Sequence, residues 1–269
     1  MRRAAHQLLD HPRVFEDPVA LAISGGDVSE ALQQHPELVE SPRGRHIRAF
    51  VAARSRYAED ELAAAVGRGA RQYVVLGAGL DTFAYRNPHE STLRVFEVDH
   101  PATQAWKRRR LETAGIAIPD SLVYVPLDFE KDTLASALSD GGYRRDTITF
   151  FSWLGVTQYL TEEAAMATLA FIASMPTGSG VVFDYAVQRT LLNPVQQAAL
   201  DELAARVARA GEPFRLFLEP ADLRDKLRQL GYGDIEDLAP EQIHARYFSG
   251  RTDGLGVQSG IAHLVSARV

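Results

Sequence analysis

The chain has 269 residues, 46% of them hydrophobic, no cysteine and a formal net charge of −6. That length buries one large α/β core with little left for a second, and the missing cysteine excludes disulfides, cysteine-ligated zinc and a thiol nucleophile. A pI near 5.8 argues against a general nucleic-acid or anionic-membrane binder, no leader-like or membrane-length apolar run is visible, and a soluble cytoplasmic protein is expected.

The first 50 residues read as helices laid ahead of a sheet. Asp17-Pro18 is an N-cap followed by a residue suited to the first turn. Gly25-Gly26-Asp27 breaks the pattern, and 29–38 is a short helix at best. Ser41-Pro42-Arg43-Gly44-Arg45-His46 reads as a solvated basic loop, with a lid segment as the alternative. A helix opens at Arg54 and runs to Val66, stopped by Gly67 and Gly69. Arg54 and Arg56 stand two apart, so they face different sides of it. One is a candidate to clamp a carboxylate with its guanidinium fork, the other to make a surface ion pair.

From residue 72 the pattern alternates. Strands are expected at 72–76, 93–98, 122–125, 148–153 and 180–185, with helices at 101–114, 134–139 and 162–174; Thr161 is the cap of the last. Such alternation predicts a doubly wound, mostly parallel Rossmann-like sheet. The Ala-rich helix at 193–211 interrupts it and reads as an inserted lid. A helix at 220–230 and short strands at 232–238 and 260–267 follow, giving the sheet an antiparallel C-terminal strand. The expected organisation is one domain: a helical cap (1–69), a core (70–189), a lid (190–220) and a C-terminal helix with strands (221–269).

In such sheets ligands lie beyond the carboxyl ends of the strands. Val74-Val75-Leu76-Gly77-Ala78-Gly79-Leu80-Asp81-Thr82 is a buried strand turning through two glycines, which let backbone amides approach a ligand closely. About 20 residues on, Phe96-Glu97-Val98-Asp99 ends a second strand in acid, suited to ribose hydroxyls. Asp81 in the turn is awkward for a pyrophosphate and acceptable for a ligand with a cationic amine, such as S-adenosyl-L-methionine. Asp128-Phe129 after the third strand suits an adenine, or Asp128 caps the helix at 134. Tyr185 at the fifth strand tip lines a pocket or packs. His46 and His100 are the histidines near candidate site loops, and His100 has a plainer reading as a turn residue before Pro101. Lys107-Arg108-Arg109-Arg110 reads as a solvated helix face, and Trp106, Trp153, Phe150 and Phe151 as core.

The run 73–86, Phe96-Glu97-Val98-Asp99-His100-Pro101, the segment 151–161, Phe15-Glu16-Asp17-Pro18 and Arg54-Ser55-Arg56-Tyr57 together resemble the leucine carboxyl methyltransferase family over about residues 15–185. That family includes bacterial S-adenosyl-L-methionine-dependent O-methyltransferases, some of which tailor polyketides. The resemblance implies that Gly77, Ala78 and Gly79 form the turn under the cofactor and that Asp99 holds the ribose with Glu97 beside it. It further implies that Asp128 and Phe129 hold adenine, that Arg54 pairs with the cofactor carboxylate, and that Tyr159 faces the substrate carboxylate. Arg56 and Tyr185 are further substrate-positioning candidates. The family's usual glutamate five residues before that tyrosine is Leu154 here, which leaves Asp81 or the backbone around Ser152 to meet the cofactor's ammonium.

The expected activity is methylation of a small-molecule carboxylate, which is ionised at neutral pH and needs no general base. Methylation of a phenol is the alternative acceptor chemistry. Other classes are a nicotinamide oxidoreductase, which Asp81 and Thr82 disfavour, and a non-catalytic nucleotide binder, which Leu154 favours. No metal, nucleic-acid or membrane partner is expected, and the oligomeric state is open.

Overall fold

A computed structural model describes residues 2–25, 30, 34, 41–128, 133–209, 211–257 and 260–269. The elements, in chain order, are α1 (Arg2–Leu9), α2 (Pro18–Ser24), α3 (Pro42–Gly67), β1 (Gln72–Leu76), β2 (Arg94–Asp99), α4 (Pro101–Thr113), β3 (Leu122–Pro126), α5 (Leu134–Asp140), β4 (Thr149–Trp153), α6 (Glu162–Ala173), β5 (Gly180–Ala186), α7 (Pro194–Arg209), α8 (Pro220–Leu230), β6 (Asp234–Leu238), α9 (Pro240–Tyr247) and β7 (Ala262–Arg268). The strands form one seven-stranded sheet of order β3-β2-β1-β4-β5-β7-β6. β1 to β5 run parallel, and β7 is antiparallel to both β5 and β6. The order reverses between β1 and β4, which places the ligand crevice beyond their carboxyl ends.

The central strands β1, β4 and β5 are buried along their whole length, which is why they read as continuous apolar runs and not as alternating ones. α5, α6 and α8 pack against one face, and α3 and α9 against the other. This is a doubly wound, Rossmann-like α/β fold with an antiparallel edge.

Several expectations need correction. The basic stretch 41–46 is no loop: Ser41 caps α3 by accepting from the Gly44 amide at 3.1 Å, with Pro42 in the first turn. The helix expected from Arg54 thus begins twelve residues earlier, where Ser-Pro is a helix start as readily as a turn. Helix α9 was not anticipated; it too opens on a proline. Trp106 is 41% exposed, not core, and stacks under the Arg110 guanidinium. Lys107 is not on a solvated face: it is buried and donates to Glu97 Oε2 at 2.6 Å. The short helix expected at 29–38 falls largely outside the described residues.

The N-terminal helices are fastened by buried polar groups. Arg48 of α3 donates to both oxygens of Asp10 at 2.7 and 2.9 Å. His6 Nδ1 lies 2.7 Å from Asp10 Oδ2, and its Nε2 accepts from the Val14 and Phe15 amides. Nε2 therefore carries no proton, and Nδ1 donates. Burial alone would raise the Asp10 carboxyl, but His6 and Arg48 outweigh it and hold it at about 2. Asp17 is fully buried and accepts from the Thr82 hydroxyl at 2.7 Å and the Ala20 amide at 3.0 Å. Arg3 and Arg86 flank it. These bonds tie the segment before the sheet to the turn after β1.

Glu97 and Lys107 are each only 1% exposed. Burial pushes the Glu97 carboxyl up to about 7 against the pull of Lys107, and its Oε1 has no hydrogen-bond partner. Its unfolded value is near 4.5, so between these pH values the folded protein keeps a proton that the unfolded chain has lost. Stability therefore falls as pH rises from about 4.5 to about 7. Glu97→Gln, which fixes the neutral form, should flatten that part of the profile; urea titrations at stepped pH check this, and an unchanged slope would refute it.

Candidate active site

The turn after β1 is shaped by its glycines. Gly77 and Gly79 have φ of +64° and +48°, a region costly for residues with a Cβ. A Cβ on Gly77 would also sit 2.5 Å from Val156 Cγ2. The Gly77 and Ala78 amides donate to Val98 O at 2.9 and 3.1 Å. Asp99 at the tip of β2 accepts from the Gly79 amide at 2.5 Å and from the His100 amide at 2.7 Å. The turn is thereby folded across the end of the neighbouring strand.

A cavity of about 310 Å³ opens above this turn, with Gly77, Ala78, Gly79, Asp81, Ser152 and Leu154 in its wall. Arg2 and Arg3 close it from α1 and Arg54 from α3. Arg3 donates to Leu80 O and approaches Asp81 Oδ2 at 3.4 Å. Burial would raise the Asp81 carboxyl; the Arg3 and Lys107 charges and the Phe83 amide outweigh it and hold it below the usual carboxylate range. Asp81 is ionised and faces the cavity. The Ser152 hydroxyl shares a 2.7 Å hydrogen bond with Tyr73 Oη.

Arg54 also borders a second cavity of about 910 Å³. Its Nη1 donates to Asp184 Oδ2 at 2.9 Å, while Asp184 Oδ1 accepts from the Gly155 amide at 2.5 Å. The Asp184 carbonyl accepts from the Thr157 hydroxyl at 2.6 Å. A Cβ on Gly155 would stand 2.8 Å from Arg54 Nη2, so only glycine lets the guanidinium lie against that loop. Asp184 therefore fixes both Arg54 and the segment after β4. Its place at the tip of β5, next to Tyr185, is the one signal for it in the sequence. Arg3 was missed, since nothing local links residue 3 to residue 81.

Other expected residues are placed as follows. Tyr159 lines the larger cavity, packs on Phe214 with ring centres 5.4 Å apart, and has its hydroxyl pKa raised by burial. Tyr185 both lines that cavity and packs: its hydroxyl donates to Asp237 at 2.8 Å. Asp128 is half-buried just past β3, where the Leu127 amide donates to Asp99 O at 3.0 Å. The cap of α5 is Thr133, so Asp128 is not needed for that role. Phe129 lies outside the described residues. Two expectations fail, and His100 takes its plainer reading as a turn residue before Pro101. Glu97 is directed away from the cavity into its ion pair with Lys107. Arg56 is half exposed on the outer side of α3, paired with Asp60 at 2.7 Å. His100 caps α4 by accepting from the Ala102 amide.

The leucine carboxyl methyltransferase family model matches residues 1–173. The chain belongs to that family. It is 34% identical over 97% of its length to YktD of Bacillus subtilis, assigned as an S-adenosyl-L-methionine-dependent methyltransferase, and covers 93% of that relative. A Frankia alni relative with the same assignment, FRAAL3836, is 32% identical over 71% of this chain and 68% of its own. A solved DUF574 family structure from Streptomyces avermitilis superposes with a TM-score of 0.60 at 18% identity, covering 99% of both chains. The protein is an S-adenosyl-L-methionine-dependent methyltransferase of this family.

The cavity suits that cofactor. A glycine turn leaves room for close backbone approach, Asp99 stands beside it for hydroxyls, Arg54 offers N–H donors to a carboxylate, and the ionised Asp81 suits an ammonium. Gly77→Ala should weaken S-adenosylhomocysteine binding at least tenfold, with a folding cost of about 1–2 kcal/mol from the strained φ. Asp184→Asn should weaken it less, through a loosened Arg54. Calorimetry with a parallel denaturation curve tests both; wild-type affinity in the Gly77 variant would contradict the role given to the turn.

Proposed function

We propose that this enzyme methylates a carboxylate of a small, largely apolar acid at the junction of the two cavities. The observation that carries this is Arg54, which borders both cavities and holds one N–H to Asp184. Its other N–H groups have no protein acceptor among the described residues, and the side chain lines both cavities. An anionic acceptor is drawn to such a point, and two oxygens can engage its planar fork.

The absence of a base supports the same choice. Among the described residues at the junction, Asp184 is occupied by Arg54 and the Gly155 amide, and burial disfavours ionisation of Tyr159. The histidine of the larger cavity, His46, lies eight residues up α3 from Arg54, about 12 Å along the axis. A phenol of pKa about 10 would need a base here, whereas a carboxylate of pKa about 4 arrives ionised.

When bound, S-adenosyl-L-methionine supplies an electrophilic methyl group and leaves as a neutral thioether. The residues of this chain do the rest by placement. Asp99, beside the glycine turn, is suited to the ribose, and Asp128, one strand over, to the adenine. Asp81 takes the ammonium that the family's missing glutamate would hold, and Arg3 in turn orients Asp81. Arg54 lines up the carboxylates on either side of the junction, with Tyr159 facing the acceptor. Apolar walls exclude water from the nucleophile, so positioning and desolvation supply much of the rate.

The test is transfer of labelled methyl to matched panels of apolar acids and phenols. A carboxyl methyl ester releases its label as volatile methanol in mild alkali, and the rate with an acid should be flat from about pH 6 to 9, well above the acceptor's pKa. Label that survives alkali, with a rate rising toward the phenol pKa, would overturn the carboxylate reading.

A further inference from the structure

The larger cavity is longer than methyl transfer requires. From Arg54 it follows α3 toward its N-terminus, where Arg43, Ile47, Phe50 and Arg54 recur along one stripe. Its middle is apolar, walled by Ile47, Phe50, Leu203, Val207 and Phe214. Its far end is polar, and three basic side chains contribute to the lining there: Arg43, Arg45 and His46.

These three are not equivalent. Arg43 is neutralised by an ion pair with Glu202 of α7. Arg45 is half-buried and donates to the Asp253 carbonyl, but among the described residues no carboxylate lies within ion-pair distance of it. The Asp253 side chain is taken by Arg251. His46 has no hydrogen-bond partner among the described residues, and burial pushes its imidazole pKa down, so the ring faces the cavity neutral, with one donor and one acceptor. An uncompensated guanidinium and an unpaired imidazole beside an apolar chamber are costly unless a ligand completes them.

We propose that this end of the cavity is a subsite for a second anionic group on the acceptor, a carboxylate in the simplest case, held by Arg45 and His46. Resting on the reading of Arg54 as the transfer point, it lies nine residues away along α3, about 13 Å at 1.5 Å per residue, and Arg45, which starts about half a turn round the helix from Arg54, reaches the lining with its long side chain. The acceptor is thus an elongated molecule with an apolar middle and a polar group at each end, of which only the end at Arg54 is methylated. Arg43 and Glu202 join α7 to α3 over that end, so the segment that covers the acceptor also frames the subsite.

The experiment is calorimetric titration of the full chain, saturated with S-adenosylhomocysteine, with straight-chain dicarboxylic acids and monocarboxylic acids of the same lengths. At one preferred length the diacid should bind at least tenfold more tightly than the monoacid. Arg45→Ala should bring that ratio close to one, Arg45→Lys should retain part of it, and His46→Gln should lower it by a smaller factor. A diacid no better than its monoacid at any length, or a full diacid advantage in Arg45→Ala, would overturn the subsite. Alkylphenols with and without a terminal carboxylate separate the two readings. If plain acids do not bind but the carboxylated phenols outcompete the plain ones, the carboxylate acceptor fails and the subsite stands. If acids are bound and methylated without regard to a second charge, the subsite fails and the acceptor class stands.

Discussion

The contact between Arg54 and Asp184 joins the two halves of this enzyme. It spans 130 residues of sequence and links the helix that precedes the sheet to the tip of β5. Because Asp184 also binds the Gly155 amide, one carboxylate sets the guanidinium and the loop after β4 together. Arg54 is 21% exposed, shielded from water enough for its charge to act more strongly than at the open surface, and it lines both cavities. A charge placed so serves alignment more than stability, since a partly buried pair gains little net folding energy after desolvation.

A second set of buried charges holds the frame in which that contact works. Asp17 receives Thr82 from the cofactor turn while Arg3 and Arg86 approach it from either side. The N-terminal helices, which look peripheral in the chain, thereby form one wall of the smaller cavity. Glu97 and Lys107 lie under the tip of β2, where α4 packs on the sheet. Their burial is costly, and the raised Glu97 pKa expresses that cost. Asp99, two residues on and on the same face of β2, lies where the strand ends and accepts instead from the Gly79 and His100 amides beside the glycine turn.

The acceptor side is built differently. α7 buries only Leu200 among its described residues and is held by surface ion pairs such as Arg43–Glu202 and Arg189–Asp201, which individually contribute little. A helix so lightly anchored opens at low cost compared with the sheet it covers. That division sets a firmly packed sheet against a cover held by surface contacts.

The strands and most helices were legible because their signals are local. Continuous apolar runs marked β1, β4 and β5, the Gly-Ala-Gly turn marked the crevice, and Thr161 and Asp17 marked helix starts. The local signal misled where one pattern fits two structures: Ser41-Pro42 opens a 26-residue helix and not a loop, and this carried Arg45 and His46 from solvent into a cavity wall. Lys107 and Trp106 exchanged their expected places because burial depends on what packs opposite, and Glu97 comes into range of Lys107 only when α4 folds back on β2. The sequence by itself determined the fold class, the cofactor turn and the candidate acids at the strand tips, since chain periodicity and glycine spacing encode those directly. Only the tertiary structure decided that Asp184 holds Arg54, that Arg3 faces Asp81, and that Glu97 and Arg56 stand apart, because such pairs depend on separations in space that sequence distance does not set.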